Sequence, residues 1–208
     1  MRKLTTIIMC LLLTVPALAQ QVIIAKKKST PSGVAVTDNF NRSSANPIGG
    51  NWSVPTGGAA LQIVSDTYVT GTVDETVTNC SYWNADTFAD NQYSQALLID
   101  GDNAGVAVRM ASGSLTGYVW IHATGDDFKL FKVVAGTWTQ LGSTYSLLWS
   151  HNDTLRLEIS GTTLTPYLNG DPQTTQTDSD IASGSPGIVA RLDFPTLAQF
   201  DNWAGGDL

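Results

Sequence analysis

Between Asp38 and Trp203 the chain is a succession of short segments in which apolar and polar residues alternate, with Gly, Asn or Asp at nearly every junction. Alternation with period two is the signature of a strand with one buried face, because successive side chains point to opposite sides. Leu155, Leu157 and Ile159 share a face opposite Arg156 and Glu158, and Val106, Val108 and Met110 oppose Ala107 and Arg109. Strands are predicted at 60–64, 68–70, 80–84, 93–100, 105–111, 117–123, 128–134, 138–141, 154–160, 163–168, 187–191 and 198–203. Asn169-Gly170 is the strongest hairpin turn, and Gly101-Asp102-Asn103, Gly125-Asp126-Asp127 and Ala135-Gly136 are further hairpin-type connections. No segment has helical periodicity. The pattern specifies an all-β, two-sheet antiparallel sandwich of jelly-roll type.

The start of the chain carries a different message. Arg2 and Lys3 precede an apolar run at 7–15, and Ala17-Leu18-Ala19 places small residues where a signal peptidase reads. Residues 1–19 read as a secretory signal peptide, cut after Ala19, with an apolar run too short to span a bilayer. The expected location is therefore secreted, extracellular or at the cell surface, with no membrane span. Residues 20–33 read as a tail or linker. Its β-prone patch Val22-Ile23-Ile24-Ala25 is either part of a leader or a strand that pairs with the edge of its own or a neighbouring sheet, which gives a route to self-association. The sandwich domain is predicted over 34–208.

The chain has 208 residues, enough for one sandwich with a sizeable core. Its 11 basic and 18 acidic residues give a net charge of −7. That balance argues against nucleic acid, whose binding depends on neutralising phosphates. Cys10 lies within the signal peptide, so Cys80 has no intrachain partner. It is either a small buried apolar residue or a thiol that pairs between chains.

A family resemblance rests on the order of many short pieces. These are Asp38-x-Phe40-Asn41-Arg42, Gly50-Asn51-Trp52, Tyr82-Trp83-x-Ala85-Asp86-x-Phe88, Asn91-Gln92-Tyr93, Val108-Arg109 and Gly117-Tyr118, followed by Leu155-Arg156-Leu157-Glu158-x-x-Gly161, Tyr167-x-Asn169-Gly170, Gly184-x-Pro186-Gly187 and Asp201-Asn202-Trp203. In this order the chain resembles the concanavalin A-like (laminin G-like) lectin/glucanase superfamily, and within it the secreted bacterial and phage-associated modules. The resemblance implies two curved antiparallel sheets and a carbohydrate-binding background, with some branches that cleave polysaccharides. It also implies a structural Ca²⁺ where the first and last strands meet, for which Asp38 and Asp201 stand at matching ends.

Catalysis finds little support. A glycosidase needs two carboxylates flanking the scissile bond, and the glucanase branch carries Glu-x-Asp-x-Glu on one strand. The chain has only Glu75, in a Thr-rich loop beside Asp74, and Glu158, with no carboxylate at either i±2 position. No nucleophile elbow, metal-hydrolase motif or phosphate loop is present. Binding is better represented. Tyr118, Trp120 and His122 share one face of a strand, and Val119 and Ile121 share the other. That aromatic face is either a sugar-binding surface, with Arg109 and Tyr167 as neighbours, or inter-sheet core. Trp52, Trp83 and Trp203 are expected to pack. The first expectation is a secreted, non-catalytic carbohydrate-binding module whose partner is a polysaccharide or glycan. The second is an assembly subunit that uses the N-terminal strand, and the third is a polysaccharide-degrading enzyme.

Overall fold

A computed structural model of the chain describes residues 33–72, 77–191 and 198–208. The signal peptide, the tail with its 22–25 strand, and Asp74 and Glu75 lie outside the described residues. Sixteen strands follow in order: β1 Ala35–Asp38, β2 Trp52–Ser53, β3 Leu61–Val64, β4 Tyr68–Gly71, β5 Asn79–Trp83, β6 Gln92–Asp100, β7 Ala104–Met110, β8 Gly117–His122, β9 Asp127–Val134, β10 Thr137–Ser146, β11 Asp153–Ser160, β12 Thr163–Leu168, β13 Asp171–Pro172, β14 Gln176–Thr177, β15 Ser185–Ala190 and β16 Gln199–Asp207. One sheet, A, has the order β13-β12-β11-β6-β16-β4-β3, with β1 added to β16 and β14 to β12. The other, B, has the order β10-β9-β8-β7-β15-β5-β2. Every ladder between named strands is antiparallel, for example β11 on β6 and β12, and β8 on β7 and β9.

The turns follow their chemistry. Asn169 and Gly170 have φ of 54° and 84°, and Ala135 and Gly136 have 47° and 81°. Two successive positive φ values are what a tight hairpin needs to match the strand twist. The core lies between the sheets. Leu155, Leu157 and Ile159 of β11 and Ala96 and Leu98 of β6 meet Val106 and Val108 of β7, Tyr118 and Trp120 of β8 and Leu130 of β9.

Sheet B is also apolar on its other side. Cys80, Ala107, Val119, Ile121, Phe131, Val133 and Val189 form a second buried cluster. Cys80 is therefore wholly buried, and burial pushes its thiol up to about 12. A buried, protonated thiol does not support pairing between chains.

The sequence expectation for β7 needs one correction. Val106 and Val108 face the inter-sheet core, but Met110 joins the outer cluster with Ala107. The alternation breaks at Arg109, where φ is +53° and the ladder to β15 shifts register between Ser185 and Gly187. A bulge of this kind re-aims the side chain it carries.

The N-terminal strand region is tied down by a tryptophan cluster. Trp203 stacks on Trp83 at 5.4 Å and meets Trp52 edge-on at 4.6 Å, and Trp52 also contacts Phe40. Asp207 accepts from Val34 N and Ala89 N through its two carboxylate oxygens, which joins both ends of the domain to the loop before β6.

Candidate binding face and the fate of the predicted site residues

On β6, Ser94, Ala96 and Leu98 point into the core while Tyr93, Gln95 and Leu97 are half-buried on the outer face of sheet A. On β11 the outer positions are Arg156 and Glu158, and on β12 they are Thr165 and Tyr167. Register brings them together: Glu158 lies opposite Tyr93 and Thr165, and Arg156 opposite Gln95 and Tyr167. Cross-strand neighbours of this kind are within reach of long side chains.

Five central side chains form a fixed network. The Arg156 guanidinium lies 3.8 Å from the centre of the Tyr93 ring. Its Nε donates to Glu158 Oε1 at 2.7 Å, and its Nη1 donates to Gln95 Oε1 at 3.3 Å. Tyr167 Oη donates to the other oxygen of Glu158 at 2.9 Å. Burial and this bond raise the Tyr167 hydroxyl above its ordinary pKa, so it stays a donor. Arg156 and Glu158 remain about a quarter exposed. The result is a pre-organised, solvent-facing set of donors and acceptors between two tyrosine rings.

The residues singled out on β8 lie elsewhere. Tyr118, Trp120 and His122 have no exposed surface and belong between the sheets, so the aromatic face is interior. The physical reason is that both faces of β8 are buried: Tyr118 and Trp120 pack between the sheets, and Val119 and Ile121 pack in the second cluster. Trp120 Nε1 donates to Tyr167 O at 3.2 Å, and its ring packs on Phe128 and edge-on to Tyr145. His122 sits between Phe128 and Trp149, and its two ring nitrogens face Gly125 O at 2.7 Å and Gly101 O at 3.1 Å. Arg109 is 3 % exposed, and its guanidinium donates to the carbonyls of Asp90, Gly161 and Ile181. Of the five residues expected to bind a ligand, Tyr167 alone lies on the outer face of sheet A. Tyr93, Gln95, Arg156 and Glu158 were not picked out as ligand contacts; the outward alternation of Arg156 and Glu158 on a strand was the available signal.

Tyr118 anchors a charged network. Its hydroxyl donates to Asp178 Oδ1 at 2.6 Å and accepts from Ile181 N, while Lys132 bridges Asp178 and Asp180. Burial, reinforced by the bond to Asp178, pushes the tyrosine up to about 12. Burial also acts to raise the Asp178 carboxyl, but the bonds from Lys132 and Tyr118 outweigh it and hold that group below its ordinary value. Two pH windows follow by linkage. Above an unfolded tyrosine pKa near 10, the unfolded chain loses a proton that Tyr118 keeps. Stability is therefore expected to fall from about pH 10 through about 12. The Asp178 contribution is present above its unfolded value and is lost as pH falls through the lower folded one. Denaturant melts across pH check both. Tyr118→Phe should flatten the alkaline limb relative to the parent chain, and an unchanged limb would refute the assignment.

Asp38, at the end of β1, pairs with Trp203 on β16, two residues from Asp201. Burial, aided by the charge of Asp38, raises the Asp201 carboxyl. A cavity of about 400 Å³ between the terminal strands is lined by Asp38, Asn39, Asn202 and Trp203. The pair does not fit a calcium ion, which takes six to eight oxygens. Asp38 Oδ1 accepts from Arg42 at 2.6 Å and from Phe40 N, and Oδ2 accepts from the Trp52 indole at 2.8 Å. A cation already occupies the carboxylate. Among the described residues no group of three or more His, Cys, Asp or Glu is arranged to hold a metal.

No protein-family model matches the sequence, and no curated protein matches it. Solved structures do match its shape. A carbohydrate-binding module, CBM66 from Bacillus subtilis, aligns with a TM-score of 0.54 at 18% identity, over 76% of this chain and 92% of that one. A prokaryotic β-1,3-1,4-glucanase (lichenase) derived from a mouse hindgut metagenome gives 0.53 at 9% identity, over 83% and 98%. The fold is the concanavalin A-like jelly roll. A third match is the exoplasmic/lumenal domain of VIP36 in its Ca²⁺/Man3GlcNAc-bound form, at 0.51 and 14% identity over 76% and 84%. The concanavalin A-like neighbours thus include a carbohydrate-binding module, a lumenal domain solved with Ca²⁺ and Man3GlcNAc, and a glucanase. Identities this low establish the architecture, and function has to be argued from the site.

Proposed function

We propose that the chain is a secreted, non-catalytic carbohydrate-binding domain that holds a polysaccharide or glycan on the outer face of sheet A. The observation that carries this reading is the Tyr93–Arg156–Glu158–Tyr167 network. Sugar hydroxyls both donate and accept, and a fixed guanidinium beside a fixed carboxylate offers both roles at once. The flanking tyrosine rings supply apolar edges for the C–H surfaces of a sugar. Because the side chains are already locked together, little rotamer freedom is lost on binding. The signal sequence supports secretion, and the carbohydrate-binding neighbours agree with the ligand class.

The non-catalytic reading rests on the surroundings of Glu158. Its cross-strand neighbours are Tyr93 and Thr165, and its same-face neighbours along β11 are Arg156 and Ser160. None of these four is a carboxylate, so among the described residues Glu158 has no adjacent acid to form the pair that a glycosidase uses.

The test is affinity electrophoresis and calorimetry against a panel of neutral and charged polysaccharides, in calcium and again in EDTA. Arg156→Ala is expected to weaken binding about tenfold or more, as truncating a central contact usually does, with an unchanged fold by circular dichroism. Binding equal to that of the parent chain would remove this face as the site. Equal binding in EDTA is expected from the occupied Asp38 carboxylate. New reducing ends released from any polymer would overturn the non-catalytic reading.

A further inference from the structure

Next to this face, at one end of the sandwich, lies a pocket of about 330 Å³ lined by Asp90, Asn91, Arg109, Gly161, Thr162 and Ser179. Its volume falls at the lower end of the range for small-molecule sites. We propose that it is a subsite for one neutral sugar residue, with adjacent hydroxyls spanning the Arg109 guanidinium and the Asp90 carboxylate. This rests on the carbohydrate-binding reading and adds to it a second site and a ligand class.

Three observations carry the assignment. The first is the backbone at Arg109. A non-glycine residue at φ +53° inside a strand is uncommon and strained. Without the bulge, Arg109 would share the outer face of sheet B with Ala107. With it, the side chain reaches the carbonyls of Asp90, Gly161 and Ile181, on three separate segments. Strain of this kind concentrates where a side chain has to be aimed.

The second is the donor inventory. A guanidinium has five N–H groups, and Arg109 gives three to those carbonyls, which leaves two on a side chain that lines the pocket. Asn91 Oδ1 accepts from Gly161 N at 2.7 Å, which fixes the amide and leaves its NH₂ group to donate. The hydroxyls of Thr162 and Ser179 do both, and the Asp90 carboxylate accepts. The lining thus offers both donors and acceptors, as a polyhydroxyl ring requires. Among the described residues no aromatic ring lines the pocket, so a nucleobase finds no ring there to stack on.

The third is charge. Among the described residues Arg109 has no carboxylate within ion-pair distance; burial lowers its pKa, and Tyr118 and then the exposed Asp90 partly offset this through space. A buried cation facing an exposed anion leaves no net charge to recruit an acidic ligand, and Asp90 repels one. A neutral ligand that donates to Asp90 and accepts from Arg109 satisfies both. The position suits a subsite as well: Asn91 immediately precedes β6, which carries Tyr93, and β11 runs from Glu158 to the turn at Gly161.

The experiment is a ¹⁵N-edited NMR titration of the full chain with glucose, galactose, mannose, fructose, N-acetylglucosamine, glucosamine and glucuronate, each alone. The expected result is saturable shifts of the Asn91, Gly161, Thr162 and Ser179 amides with at least one neutral sugar and none with glucuronate. Ser179→Trp, which fills the pocket from its exposed rim, should abolish those shifts. Asp90→Ala should weaken the affinity at least fivefold. Both variants change exposed residues, so folding is preserved and checked by the unshifted core amides. Polysaccharide binding without any monosaccharide response at these amides would overturn the subsite while leaving the sheet A reading intact. Preference for glucuronate or for protonated glucosamine would overturn the neutral class. Absence of binding to every sugar and polymer would overturn both readings.

Discussion

Trp203→Ala is expected to lower the melting temperature by about 10 °C. Trp203 is 1 % exposed and closes the cluster that holds β1, β2, β5 and β16 together. Its ring stacks on Trp83 at 5.4 Å and meets Trp52 at 4.6 Å with an interplanar angle of 65°, near the offset and edge-on geometries that aromatic pairs prefer. Its indole N–H donates to Ser94 Oγ at 2.9 Å, and that hydroxyl donates on to Gly187 O in the opposite sheet. Truncation thus removes three kinds of interaction together: buried apolar area, ring contacts and a link between sheets. Phe or Trp to Ala in a core costs roughly 3–5 kcal/mol, and each kcal/mol is worth about 2–4 °C in a domain of this size. The cavity cannot collapse easily, because Gly205 already lies against the ring; a Cβ there would come within 2.5 Å of it. Differential scanning calorimetry checks the shift, with Trp149→Ala as the contrast. Trp149 is half-buried at the loop after β10, so its loss should cost much less. A Trp203 variant melting within about 2 °C of the parent would mean the cluster is not a principal source of stability.

The strands were legible because hydrophobic alternation and turn residues agree along most of the chain, as at β11 with Leu155, Leu157 and Ile159 inward. Less visible was β10, predicted to stop at Leu141. It continues to Ser146 because a bulge around Gly142, at φ +72°, interrupts the pattern before Tyr145 rejoins β9. Strand β2, with two residues, is too short to show a period. The binding face was only half legible for a related reason. Alternation says which side chains share a face, and only the polarity contrast says which face is wet. On β11 the contrast is sharp and Arg156 and Glu158 read outward. On β8 both faces are apolar, so Tyr118, Trp120 and His122 could not be told from a surface by sequence, and they turn out to be interior. Asp38 looked like a metal ligand because its carboxylate was visible, while its partners Arg42 and Trp52 come from four and fourteen residues away.

Arg109 shows the limit most clearly, and it leads to the second large effect. Read by period two it belongs with Ala107 on the outside of sheet B, and no local sequence signal marks the change of backbone hand. In the structure its guanidinium fastens the loop before β6, the β11–β12 turn and the loop before β15 by bonds of 2.9, 2.8 and 2.7 Å. Hydrogen bonds to a charged group are worth about 1.5–3 kcal/mol each, and a buried acceptor left unpaired costs more than the bond it loses. Arg109→Ala is therefore expected to lose about 3–5 kcal/mol, close to the cost of breaking a buried ionic network. Alanine also keeps the unfavourable φ, so the side-chain loss has to be separated from the backbone. Arg109→Gly does that, because glycine adopts φ +53° without penalty. It should recover about 1 kcal/mol of the loss and no more. Arg109→Lys should also fail to rescue, since one ammonium cannot fork to three carbonyls on separate segments. Denaturant unfolding of the three variants, with hydrogen exchange at Ile181 and Gly161, reads out the outcome. A glycine variant as stable as the parent would show that the guanidinium adds nothing to the fold; a large loss in all three would locate it as the pin of that end of the sandwich.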